Sequence, residues 1–236
     1  MSNNEEQIAE IRAHLEKEPV VNLHRYPVEI RIEDGGVVLE GEVEHLAAKR
    51  LIPLTAARLA PDKGVIDRLR VDPGERRGDG AVLDDVAQRV REESVFKDYQ
   101  LRYDAQREGA TEPPAGRIEV AVNDGVVTLS GEVQSLSHKR MADVLAWWAP
   151  GSVDVDNRLK VTPPERDSDG EIADALRMVI EKDPMLDATQ IHIDVQDRKV
   201  KLEGMVVNEE HRRAAELDAW AVLGVHGVDN CLQLKG

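Results

Sequence analysis

The sequence predicts an α+β protein of three tandem domains, each with two helices packed on one face of a small three-stranded mixed sheet. Three observations predict it. Shifting the chain by 90 residues lays a long gapless block on itself. Val28-Glu29-Ile30 meets Ile118-Glu119-Val120, Asp34-Gly35 meets Asp124-Gly125, and Leu39, Gly41, Glu42 and Val43 meet Leu129, Gly131, Glu132 and Val133. A further shift of 73 returns the block. Ile191, Ile193 and Val195 then stand where Ile118, Val120 and Val122 stood, and Gly224, Val228, Asn230 and Leu232 replace Gly151, Val155, Asn157 and Leu159. Self-similarity of this kind marks a supersecondary unit used repeatedly. Finally, 41% apolar residues with only 3% aromatics suit several small cores of Val, Leu, Ile and Ala better than one large core.

Each repeat opens with an amphipathic helix. Ile8, Ile11 and Leu15 fall at i, i+3, i+7, as do Leu83, Val86 and Val90, while Ile172, Leu176 and Val179 fall at i, i+4, i+7. Alternation of period two follows, with Ile118, Val120 and Val122 on one face. Asp34-Gly35 and Asp124-Gly125 are Asp-Gly signals of a tight type I′ hairpin. The third repeat has Asp197-Arg198 there; arginine adopts positive φ poorly, so a turn of another type or a looser one is expected. The return strand carries Val127, Leu129 and Val133 on the same face. A second helix follows, with Asn208 as N-cap and Glu209-Glu210 in the first turn of the third copy. Pro61, Pro150-Gly151 and Gly224 stop these helices. A last strand places Val155, Asn157, Leu159 and Val161 on one face. The stretches 72–80 (DPGERRGDG) and 162–170 (TPPERDSDG) read as linkers. The expected domains are 1–73, 80–163 with an insertion at about 94–116, and 168–236.

The pattern of an Asp-Gly turn, V-x-L-x-G-x-V, a helix and G-x-x-x-V-x-N-x-L resembles the BON domain, named from bacterial osmotically inducible protein Y and nodulation proteins. Here it stands as DGVVTLSGEV followed by GSVDVDNRL, with variants DGGVVLEGEV and DKGVIDRLR before it and DRKVKLEGMV and GVHGVDNCL after it. The resemblance implies a non-enzymatic binding module of bacterial osmotic or shock stress that contacts phospholipid or an envelope-associated partner. It carries over no binding residues, because the family shares none that map onto this chain.

The charge and the motifs exclude several classes. A net charge of −15 argues against a general nucleic-acid binder, which needs clustered cations. One cysteine excludes an internal disulfide. No apolar run approaches 18 residues, so no transmembrane segment is expected. The start MSNNEEQIAE has neither a basic nor an apolar signal region, and a cytoplasmic location is expected; a removed export signal would leave the same start and a periplasmic protein. No nucleotide, hydrolase, zinc or redox motif stands in the chain, so neither a catalytic residue nor a cofactor is expected. The histidines 14, 24, 45, 138, 192, 211 and 226 show no ligand spacing, and no metal site is expected. No isolated carboxylate pair in an apolar context offers acid–base chemistry. Cys231 reads as a partly buried strand residue, with a reactive thiol as the other reading.

Three features remain. The basic pairs Lys49-Arg50, Lys139-Arg140 and Arg212-Arg213 recur at the start of each second helix, against the helix dipole. Either they meet an anion such as a lipid phosphate, or they pair locally with Glu42, Glu132, Glu209 and Glu210. Trp147, Trp148 and Trp220 lie beside the apolar stripe of the second helices, either as a partner or membrane surface or as packing within or between repeats. In the insertion Phe96, Tyr99 and Tyr103 lie at i, i+3, i+7, so a helical extension would align them as a docking element; otherwise they cover their own sheet. The expected function is therefore phospholipid or envelope contact through these residues. A protein–protein scaffold acting by multivalency, or an ion sensor built from backbone carbonyls, are the other readings. The oligomeric state is left open.

Overall fold

The first repeat shows how the pattern becomes a fold. α1 (Asn3–Leu15) buries Ile11 and Leu15. β1 (Glu29–Glu33) and β2 (Gly36–Val43) form an antiparallel hairpin, with Asp34 and Gly35 both at positive φ as a type I′ turn requires. α2 (Leu46–Leu59) then crosses back over the sheet, and β3 (Val65–Val71) joins β2 in parallel. The sheet order is β1-β2-β3, and both helices cover one face of it. Ile11, Leu15, Leu39, Ile52 and Leu69 meet in the core. Each fully buried side chain of this size contributes roughly 1.5–3 kcal/mol. The computed structural model describes residues 3–103, 106–108 and 114–235. It divides into two compact units, 1–72 and 73–236. The first holds this one repeat and the second holds the other two.

In the second unit the elements run α3 (Asp79–Glu92), β4 (Tyr99–Tyr103), β5 (Gln106–Glu108), β6 (Gly116–Asn123), β7 (Val126–Val133), α4 (Leu136–Trp147), β8 (Asp154–Asn157) and β9 (Lys160–Val161). The third repeat follows as α5 (Asp169–Lys182), β10 (Ile191–Gln196), β11 (Lys199–Val206), α6 (Glu209–Ala221) and β12 (Gly227–Leu234). The hairpin-plus-parallel-strand sheet recurs in both.

The insertion is not a helical extension. After a single 3-10 turn at Ser94–Phe96 the chain becomes strand β4, which pairs in parallel with β6 at the sheet edge. Period two wins over the i, i+3, i+7 spacing because an open strand edge offers backbone partners, and Tyr99, Leu101 and Tyr103 then point inward together. Gly116 makes this possible: a Cβ there would overlap the Tyr99 ring. Residues 104–105 and 109–113 of the insertion lie outside the described residues.

The third hairpin also departs from expectation. Asp197 and Arg198 both sit at positive φ, 49° and 64°, so the turn keeps the type I′ form of the other two. The strain on Arg198 is offset from outside the turn. Asp169, in the first turn of α5, accepts from the Asp197 and Arg198 amides at 2.8 and 2.9 Å, as Asp79 does for Asp124 and Gly125.

The Asn of the repeated motif fastens the last strand to the second helix. Asn157 Nδ2 donates to the Lys139 carbonyl and to Asp143, and its Oδ1 accepts from the Leu159 amide; Asn230 does the same with Arg212, Glu216 and Leu232. In the first repeat Asp67 accepts from the Leu69 amide, and Lys49 replaces the missing donor by binding both Asp67 and the Leu69 carbonyl. Asn157→Ala and Asn230→Ala are each expected to cost about 2 kcal/mol in urea unfolding, since partly buried partners lose their bonds. A loss below the noise at both positions would show that the clip is dispensable.

Candidate functional site

Two of the residues singled out as binding candidates, Arg140 and Trp148, lie at the joint between the second and third repeats. α4 packs on α5 and on α6. Arg140 is 2% exposed. Its Nη2 binds Asp167 at 2.5 Å and its Nε donates to the Leu223 carbonyl at 2.8 Å. Asp167 also receives Arg198, at 2.9 Å. Burial alone would raise the Asp167 pKa, but the two arginines outweigh it and hold the carboxyl below the ordinary range. The stretch read as a linker is therefore structural: beside Asp167, Glu165 accepts from the Leu136 amide at the start of α4. Glu93 at the end of α3 and Lys182 at the end of α5 form a further ion pair at 2.9 Å.

At the far end of α4, Trp148 donates its indole N–H to Asp218 Oδ1 on α6 at 3.3 Å. Asp218 is 4% exposed, and burial, with Asp183 beside it, pushes its pKa up to about 8. Asp183 caps the end of α5. This carboxylate pair, with Asp218 buried and Asp183 half-buried, differs from the expectation that the chain holds no such pair. The two residues are 35 apart in sequence, on different elements, and no local spacing announces them.

The basic pairs do not form one surface. Lys49 is buried in its bond to Asp67, Arg140 is buried in the joint, and Arg212 pairs with Glu209 at 3.1 Å. Arg50 and Lys139 are half-buried, and Arg213 is exposed. An accessible cationic cluster lies instead at the end of the second sheet. There Arg117, Arg158 and Lys160 line a cleft of about 560 Å³ together with Ser130, Glu132 and Thr162. The strand register sets it up, since Arg117 on β6 lies opposite Glu132 on β7, which lies opposite Lys160 on β9. Arg158 pairs with Asp156, so two carboxylates temper three cations.

A family model of the BON domain matches residues 3–73, 105–163 and 168–236. The chain belongs to the BON domain family. BON domains are generally non-catalytic binding domains, and the three matched segments hold five of the six α-helices described here and the hairpin and parallel strand of each sheet, while α3 and β4 lie between the first match and the second. No curated protein matches the sequence. Among solved structures the chain is similar to the C-terminal domain of CdsD, a structural protein of the type III secretion system of Chlamydia trachomatis, at 15% identity, 97% coverage of both chains and a TM-score of 0.26. It is also similar to the PrgH periplasmic domain, at 10% identity, covering 90% of this chain and 96% of that one, with a TM-score of 0.24. Neither likeness carries an argument about function.

The aromatic candidates of the BON repeats lie mostly inside. Phe96, Tyr99 and Tyr103 are 4%, 3% and 5% exposed, which removes them as an exposed docking surface. Phe96 meets Tyr99 edge-on, Tyr99 stacks on His138 and accepts from the Gln134 amide, and Tyr103 accepts from Arg91. Trp220 is buried too, while Trp147 and Trp148 are half-buried. Cys231 is exposed rather than partly buried, and bonding to Asp229 raises its pKa, which disfavours the reactive thiolate. Among the described residues no group of His, Cys, Asp and Glu is placed to hold a metal ion, and no helix is long and apolar enough to cross a membrane.

Proposed function

We propose that this BON protein is a binding module that contacts anionic phospholipid headgroups through the cleft of its second repeat. The observation that carries this reading is the accessible convergence of Arg117, Arg158 and Lys160 on one concave site in a chain of net charge −15. Two guanidinium forks and an ammonium suit a phosphate oxygen triad, and an acidic surround confines attraction to that spot. The basic pairs of the second helices contribute less than their recurrence suggests, because Lys49 and Arg140 are engaged internally.

Flotation of the full chain with vesicles of neutral phosphatidylcholine and of phosphatidylcholine with phosphatidylglycerol tests it. Binding is expected only to the anionic vesicles, weakening as salt rises from low to physiological, and falling at least tenfold in Arg158→Glu with Lys160→Glu. A thermal shift with inorganic phosphate but no flotation would move the ligand to a soluble anion. Absence of both, with a folded protein, would end the anion reading and leave the protein scaffold, tested by the concentration dependence of the sedimentation coefficient.

A further inference from the structure

We propose that a proton held between Asp218 and Asp183 fastens the second BON repeat to the third, and that the joint loosens when this proton leaves. The geometry requires a donor that ionised carboxylates cannot supply. Asp218 Oδ1 takes the Trp148 indole N–H, whereas Oδ2 is buried without a donor. The polar side chain facing Asp218 besides Trp148 is another carboxyl, Asp183. Two carboxyls can hydrogen-bond to each other only by sharing a proton. Asp183 Oδ1 already accepts from the Met185 amide, so Asp183 takes the acceptor side of the shared proton and Asp218 the donor side.

The surroundings favour one proton retained by the pair. Asp183 stands at the C-terminal end of α5, where the helix dipole opposes a second negative charge. The cations of the joint are committed to other carboxylates: Lys182 to Glu93, Arg140 and Arg198 to Asp167. The groups that bear on Asp218 are thus Asp183 from the end of α5 and the Trp148 indole from the end of α4. The Asp218 pKa of about 8 agrees with a proton retained at neutral pH. Because α4 belongs to the second repeat and α5 and α6 to the third, this triad spans the joint. Ionising Asp218 sets two carboxylates side by side on the third repeat and leaves a buried charge against the second.

The sign follows from linkage. The folded state holds this proton at pH values where an unfolded Asp, ionising near 4, has lost it. Stability from this source is full below about pH 4 and declines as pH rises to about 8. The experiment follows the Trp148 indole N–H by NMR in the full chain, assigned with Trp148→Phe, alongside heat denaturation from pH 6 to 9. The indole signal is expected to titrate with a midpoint near 8, and the Tm to fall by roughly 5 °C or more over that range. Asp218→Asn should abolish the titration and flatten the Tm profile. Asp183→Asn should move the midpoint down by about one pH unit or more, since the like charge is gone; this variant decides the matter if Asp218→Asn does not fold. An indole that does not titrate, a midpoint unchanged in Asp218→Asn, or one unmoved in Asp183→Asn would overturn the proposal.

Discussion

Arg140→Met should destabilise the second unit by about 3 kcal/mol, the lower end of what breaking a buried ion pair costs. The lower end applies because Asp167 remains partly exposed and keeps Arg198. The loss has two sources. The Leu223 carbonyl loses its Nε–H donor, and the Asp167 carboxylate loses the better placed of its two cations. Methionine fills much of the same space, so the change isolates the charge from the packing. The effect also has a pH signature. A carboxyl held below its ordinary pKa contributes stability above the unfolded value near 4 and loses it as pH falls through its depressed value. Wild type should therefore lose this increment in acid, and Arg140→Met should lose less. That is the opposite slope to the one Asp218 imposes, so urea unfolding at pH 3 to 9 separates the two. A change under about 0.5 kcal/mol, typical of a surface pair, would mean that Arg140 does not hold the repeats together.

Gly204→Ala and Gly131→Ala are expected to be as severe or worse, at about 3–5 kcal/mol each from left-handed strain and steric overlap together. These glycines, with Gly41, stand at one place in each repeat, inside the return strand, at φ values of 128°, 119° and 142°. There the return strand passes so close to the start of the first that a Cβ would run into a backbone carbonyl, of Gln190 at Gly204 and of Arg117 at Gly131. Neither carbonyl can retreat without breaking its own hairpin. At Gly41 the Cβ would stand 2.9 Å from the Pro27 carbonyl oxygen, so Gly41→Ala should cost less than the other two. Circular dichroism melts of the three variants give the ranking. Equal losses at all three would show that φ alone, and not the overlap, sets the requirement.

Most of the fold could be read from the chain because its determinants are local or repeated. The Asp-Gly turns, the Asn208 cap and the alternation of Ile118, Val120 and Val122 each act within a few residues. Register across the repeats then supplied the strand pairing. Two local readings failed where a distant group intervened. Arg198 adopts positive φ because Asp169 holds its amide, and β4 forms because the edge of β6 and the space over Gly116 were open to it.

The candidate site was legible only in part. Arg140 and Trp148 drew notice as a cation against a helix dipole and an indole beside an apolar stripe, and both proved to have partners. Those partners, Asp167 and Asp218, lie 27 and 70 residues away. Sequence alone determined the family pattern, the three-fold αββαβ order and the positions of caps, turns and obligatory glycines, since backbone hydrogen bonding and side-chain periodicity write these locally. Only the tertiary structure decided what each charge faces. Whether Lys49 and Arg140 meet a lipid or a neighbouring carboxylate depends on which surfaces the repeats turn toward each other. The ionisation of Asp218 depends on burial and on a second acid brought from another helix, and neither quantity has a local signature in the chain.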